Sequence, residues 1–265
     1  MSRKWIELAA IVTIAIVTTG LLTSCNNGPV TQESYEPTWR SLKRYPIAQW
    51  LKDGKFGIYT HWGIYSVPAL GPNGTGYGPA MYHDDSDQHK HHVATYGPPS
   101  EFGYKDFIPM FKAEKFNADE WADIFEKSGA TFAGPVVEHH DGFAMWDTKY
   151  SKWNAAKMGP KRDVVAELEK AIKKRGMKFV TTFHHATNWT YFPVWEESCD
   201  CSDPRYSGLY GPIHKRSENP SKEYLDEWHG KIIEVIDKYD PDLVWFDGGL
   251  TGIRDDYIKN FLAYF

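Results

Sequence analysis

The stretch PDLVWFDGG, residues 241–249, is a short apolar run that stops on a carboxylate, Asp247, followed at once by Gly248 and Gly249. An apolar run of this length bounded by turn residues reads as a fully buried strand. Burial alone gives such a strand no reason to end on a charge. Three earlier runs have the same form. KFGIYTHWG (55–63) delivers His61, ATFAGPVVEHHDGF (130–143) delivers Glu138, His139, His140 and Asp141, and MKFVTTFHHATNW (177–189) delivers His184 and His185. Between these runs lie NADEWADIFEKSG, KRDVVAELEKAIKKRG and SKEYLDEWHGKIIEVIDKY, whose apolar residues recur at three- and four-residue spacing and predict helices. Asn117 and Asp163 are placed as N-caps, and Gly129 and Gly176 as the left-handed residues that end helices. Strand then helix, repeated, is the sequence form of an α/β fold with a parallel sheet covered by helices. In such sheets, closed into a barrel or open, polar residues at the C-terminal strand ends share the functional face. One pocket is therefore expected to collect residues from all four runs.

The bulk composition fits this class. A chain of 265 residues, 42% hydrophobic and 25% charged, can bury one large core. A net charge of -5 supplies no basic stripe for phosphates and argues against a nucleic-acid partner. The aromatic content of 15% suits cores and also the apolar faces of sugar rings.

The N-terminus reads as a separate device. Arg3 and Lys4 precede an apolar stretch from Leu8 to Leu22, the form of an export signal, and Leu22-Thr23-Ser24-Cys25 resembles a bacterial lipobox. Residues 1–25 are thus expected to be a signal peptide with lipidation at Cys25. Residues 26–40, polar and proline-containing, are expected to be a tether, and residues 41–265 the folded body. The protein would then be exported and held to a membrane by lipid, in the periplasm or at the cell surface. Cys199 and Cys201 in SCDCSD are too close in sequence for an easy disulfide and read as loop thiols or an unusual local bridge.

Four stretches together carry a family resemblance: KFGIYTHWGIYSVPA, EKFNADEWADIFEKSGA, EHHDGFAMWDTKYSKWNAAKMGPKRD and PDLVWFDGG. In this order, from about Tyr45 to Gly249, the chain is similar to the catalytic domain of the family 29 glycoside hydrolases, the α-L-fucosidases. The resemblance implies a (β/α)8 TIM-like barrel, net retention of configuration, a glycan substrate, and no metal or organic cofactor. It implies that Asp247 is the nucleophile, that His61, His139 and His140 hydrogen-bond sugar hydroxyls, and that Trp245 forms an aromatic wall. Asp141, Trp146 and Arg162 are expected to hold loops in place. The chain departs from the family pattern at two points. Thr75-Gly76-Tyr77 stands where many members have Glu-Trp-Tyr, so that only Tyr77 remains to read the sugar. Phe183-His184-His185 replaces a tyrosine-rich strand end, which makes His184 and His185 candidate substitutes for the lost contacts.

Two elements of such an enzyme are not found in the sequence. Retaining hydrolysis needs a second carboxyl roughly 5–5.5 Å from the first. Asp255 and Asp256 fall on a further helix and suit the role poorly, so the acid/base is expected beyond Phe265. Only about four strands of eight are visible, and the barrel is expected to be incomplete and the chain alone to hydrolyse little or nothing. The reading is a retaining exo-glycosidase that removes terminal α-L-fucose or a related sugar through a glycosyl-aspartate intermediate. Two alternatives stand beside it. A non-catalytic carbohydrate-binding protein would keep the histidines and aromatics. A metallohydrolase would use the run HDDSDQHKHH (83–92), or His139, His140, His184 and His185, as ligands, though the spacing suits no familiar tetrahedral set and the run reads as a charged loop.

Overall fold

The computed structural model describes residues 34–71 and 74–265. The expected signal segment, Cys25 and most of the expected tether lie outside the described residues. No helix among the described residues is long and apolar enough to cross a membrane.

Residues Tyr35–Phe265 form one compact unit around a four-stranded sheet in the order β1 (Gly57–Thr60), β2 (Phe132–Glu138), β3 (Lys178–Phe183), β4 (Leu243–Phe246). Every pairing is parallel. Spatial order follows chain order because each crossover carries a helix. The longer helices are α1 (Asp87–Tyr96), α2 (Ala118–Lys127), α3 (Val164–Lys174), α4 (Lys222–Tyr239) and α5 (Asp255–Tyr264). The predicted strand and helix pattern is therefore present, with strands shorter than the apolar runs that announce them. A closed barrel is not what the described residues form.

The helix ends follow the expected chemistry. Asn117 Oδ1 accepts from the backbone N–H of Asp119 and Glu120, and Asp163 Oδ1 from that of Ala166 at 2.9 Å. Each such cap contributes about 1 kcal/mol. Gly129 and Gly176 sit at φ +86° and +74° just past α2 and α3. One difference concerns the tether. Thr38 caps a helical turn Trp39–Leu42, and Trp39 donates its indole N–H to Asp255 at 3.0 Å. The stretch expected to be a loose tether up to residue 40 is thus already part of the folded body near its end.

A second difference concerns the histidine run. Ser86 caps α1, so His89, His91 and His92 lie on a helix rather than in a charged loop. His92 is fully buried, with Nδ1 2.9 Å from the Tyr77 hydroxyl and Nε2 2.8 Å from the Phe102 carbonyl. The helix turns His92 inward, away from its exposed neighbours.

One face of the sheet is covered by helices, and most of the core lies there. Phe179, Phe183 and Val137 meet Leu168, Ile172, Trp228 and Val235. Polar ties fix the strand starts. Asp242 accepts from the Phe179 backbone at 2.9 Å and from Lys178 at 2.6 Å, locking the start of β4 to β3. The opposite face carries Tyr59 on β1 and Trp245 on β4, which are 45% and 52% exposed. The strand-end histidines and Asp247 stand along this open face.

Candidate functional site

The site is built by strand parity. On β4, Trp245 and Asp247 share one face and Val244 and Phe246 the other, where Phe246 stacks on Phe183 at 5.7 Å. On β3, Phe183 faces the helices and His184 the open side. β2 would break this alternation, but its pairing with β3 shifts register between Val136 and Glu138. Glu138 thereby joins the helix-covered side, where its Oε1 lies 2.8 Å from Lys231 on α4. His139 is freed to the open side.

The rings then converge. His139 and His184 stack at 4.8 Å, His61 stands edge-on to His184 at 4.8 Å, and His140 lies 4.6 Å from His139. Asp247 enters the same group, with its Oδ2 3.6 Å from His184 Nε2 and accepting from the Tyr59 hydroxyl at 3.1 Å. Its side chain is 43% exposed, so one approach to the carboxylate stays open. Gly248 lies over the His140 ring, where a Cβ would come within 3.2 Å of Cε1. Both Gly248 and Gly249 have φ near the left-handed range, at +90° and +79°. The glycines after Asp247 thus let the chain turn away at close quarters.

Burial sets the protonation of the rings. His139 is pushed down to about 2, by desolvation first and then by the neighbouring imidazoles of His140, His184 and His61. His184 is lowered to about 4 by desolvation and by His140 and His61, against the opposing pull of Asp247. His61 and His140 are also lowered by burial. At neutral pH the cluster is a set of neutral imidazoles, each offering one donor and one acceptor. His140 Nδ1 lies 2.6 Å from the His184 carbonyl and so donates to it, which leaves Nε2 as the acceptor. His139 Nδ1 and His184 Nε2 are buried without a hydrogen-bond partner. Such orphaned groups are costly in a folded protein and mark where a polar ligand would gain most.

The other candidate residues divide. Trp245 is on the open face, two residues before Asp247. His185 is a correction: it does not join His184, because adjacent residues at the end of β3 point to opposite faces, and His185 returns to the face of Phe183 just before the helical turn His185–Thr187. Its ring stacks on Trp228 at 5.7 Å and its Nε2 lies 3.3 Å from the Trp228 carbonyl, on the helix-covered side. Tyr77 is a second correction. It is fully buried, packed edge-on to Phe107, and its hydroxyl is held by His92. Asp141, Trp146 and Arg162 take the supporting roles expected of them. Asp141 accepts from the Tyr104 hydroxyl at 2.8 Å, Trp146 donates to Glu234 at 2.9 Å, and Arg162 pairs with Glu167 while donating to the Phe116 carbonyl. Cys199 and Cys201 are free thiols, and Cys201 is buried.

Sequence reasoning missed three tyrosines. Tyr59 sits two residues before His61 on β1, a spacing that by strand parity could have placed it on the same face. Tyr65 is buried, with its ring 4.8 Å from His139. Tyr191 lies 5.3 Å from His140 and donates to the Thr75 carbonyl at 2.7 Å, closing one wall. Nothing in the sequence signalled the last two, which arrive from the short helical turns Ile64–Ser66 and Asn188–Tyr191.

A family model described as alpha-L-fucosidase matches residues 22–263. The chain belongs to the alpha-L-fucosidase family. It is similar to the human plasma alpha-L-fucosidase, 35% identical over 87% of this chain and 46% of that protein, and to the alpha-L-fucosidase of Dictyostelium discoideum, 32% identical over 83% and 45%. Among solved structures, the Thermotoga maritima alpha-fucosidase matches with a TM-score of 0.73 at 34% identity, covering 87% of this chain and 53% of that one. The same enzyme has been solved in complex with fucose. This member of the alpha-L-fucosidase family thus spans about half the length of the relatives it matches.

Proposed function

We propose that this chain carries the sugar-binding and nucleophile half of a retaining exo-α-L-fucosidase that removes terminal α-L-fucose, or a closely related sugar, from glycans. The single observation that carries the reading is the position of Asp247: an accessible carboxylate 3.6 Å from His184 Nε2, on the same open face as His61, His139 and His140. A saturated ring set over these neutral imidazoles meets donors and acceptors without added charge, while its anomeric carbon faces Asp247. In the first step the Asp247 oxygen bonds to C1 as the C1–O bond to the leaving group breaks, and a carboxylic acid protonates the departing oxygen. Water then cleaves the glycosyl ester with the proton returned to that second group, which restores Asp247 and retains the configuration. No residue among those described is assigned to the second carboxyl. Completion of the sheet into an eight-stranded barrel belongs to the same proposal, as does export with a lipid at Cys25.

The test separates binding from turnover. The purified chain incubated with an aryl α-L-fucoside is expected to release little or no phenol, yet L-fucose is expected to perturb the ring signals of His139 and His184 in NMR. Asp247→Asn should leave that perturbation in place. Absence of any L-fucose effect on these rings would remove the sugar-site reading. Strong turnover would show that an acid is already present in the chain.

A further inference from the structure

We propose that His61, His139, His184 and Asp247 also form a site for a late first-row divalent metal ion, Zn²⁺ above all, which occupies the pocket in place of a sugar. The ring nitrogens of His61, His139 and His184 each offer a ligand atom, and all three lie within 4.8 Å of one another. A tetrahedral Zn²⁺ with ligands at about 2.0–2.2 Å sets neighbouring donor atoms about 3.4 Å apart. His184 Nε2 and Asp247 Oδ2, at 3.6 Å, already have nearly that separation. The 4.8 Å span exceeds the tetrahedral separation by about 1.4 Å, a closure that rotation about the histidine side-chain bonds would supply, His61 being the exposed member of the three.

Two independent features point to a ligand at this place. His184 Nε2 and His139 Nδ1 are buried with no hydrogen-bond partner in the protein, and their residues are only 4% and 6% exposed. Imidazole with carboxylate is also a donor set suited to Zn²⁺ and Cu²⁺ rather than to the hard cations, which prefer oxygen alone. One of the four ligands also has an outer support. Asp247 accepts from the Tyr59 hydroxyl at 3.1 Å, the kind of outer contact that holds a ligand in orientation. The competition with sugar rests on the function proposed above; the metal site itself does not.

The experiment titrates Zn²⁺ into the full 265-residue chain by calorimetry. The comparison set is His61→Gln, Asp247→Asn and the double variant His83→Gln/His91→Gln, which removes surface imidazoles from the rival histidine run. His61 and Asp247 are solvent-accessible, so their variants are expected to keep the wild-type thermal melt. One equivalent is expected to bind, at least tenfold more weakly in His61→Gln and in Asp247→Asn, and unchanged in the double variant. Binding that survives both site variants, or that disappears in the double variant, overturns the proposal, as does the absence of a stoichiometric phase. Repeating the titration in excess L-fucose separates the two readings. A lower apparent Zn²⁺ affinity supports both. Unaltered one-equivalent binding at the cluster supports the metal site and removes the sugar reading, while L-fucose binding without any Zn²⁺ phase does the reverse.

Discussion

Replacing Lys231 by methionine would test how the end of β2, and with it His139, is held. Lys231 Nζ reaches through the core from α4 to Glu138 Oε1 at 2.8 Å and Glu227 Oε1 at 3.0 Å, and the residue is 4% exposed. Removing one partner of a buried pair ordinarily costs about 3–5 kcal/mol, because a charge is left stranded. Glu138 has a way out. Desolvation lifts it from 4.5 to about 7 even with Lys231 beside it, and Lys231 is the main influence pulling it down. Without the ammonium, the carboxyl keeps its proton to higher pH still. A raised acid pKa means the folded protein holds a proton that the unfolded chain has released above pH 4.5, so stability falls as pH rises. Near pH 6 wild type and variant are both largely protonated at Glu138, and the deficit is then only the lost ammonium hydrogen bonds, about 1–3 kcal/mol. Above neutrality the gap opens by about 1.4 kcal/mol per pH unit, reaching about 2 kcal/mol more near pH 8.5. Urea unfolding at the two pH values measures this. The double variant Glu138→Gln/Lys231→Met has nothing to titrate there and should show the same deficit at both. A Lys231→Met deficit that does not grow with pH would refute the reasoning.

Three further outcomes follow from the geometry. Gly134→Ala should abolish the fold, since a Cβ there would sit 1.6 Å from the Val180 carbonyl oxygen across the β2–β3 ladder; a soluble variant with wild-type circular dichroism and melting temperature would contradict the packing. Tyr77→Phe should cost about 1–2 kcal/mol in urea unfolding, by leaving buried His92 Nδ1 without its partner, and should leave L-fucose affinity unchanged, whereas a selective loss of affinity would return Tyr77 to the sugar site. His184 and His139, lowered from 6.5 to about 4 and about 2, stay neutral when folded while the unfolded chain takes up protons below 6.5. Their contribution to stability is therefore full above pH 6.5 and drains away as pH falls to about 4 for His184 and about 2 for His139, and a ring NMR titration of either residue with a midpoint near 6.5 would show the cluster is not buried as described.

What could be read from the sequence, and what could not, follows the range of the forces involved. Local rules located the strands, the helices, the Asn117 and Asp163 caps, and the convergence of His61, His139, His140, His184 and Asp247, because in a parallel sheet the C-terminal strand ends must come together whatever the loops do. The same rule misplaced His185. Convergence of strand ends does not separate adjacent residues, whereas alternation does: it puts His185 opposite His184, on the face of Phe183, where its ring meets Trp228. Glu138 shows the converse. Simple alternation puts Glu138 and Val136 on one face, yet the register shift between them sends the carboxylate to Lys231, some ninety residues away in sequence. No local pattern carries that information. Tyr77 and His92 fail for a related reason: each is polar enough to suggest a surface role, and each is satisfied by the other inside an aromatic cluster. A buried histidine whose two nitrogens both have protein partners, like His92, supports structure. His139 and His184 each bury a nitrogen without a partner and stand beside the accessible Asp247 carboxylate, and that combination exists only once the chain is folded.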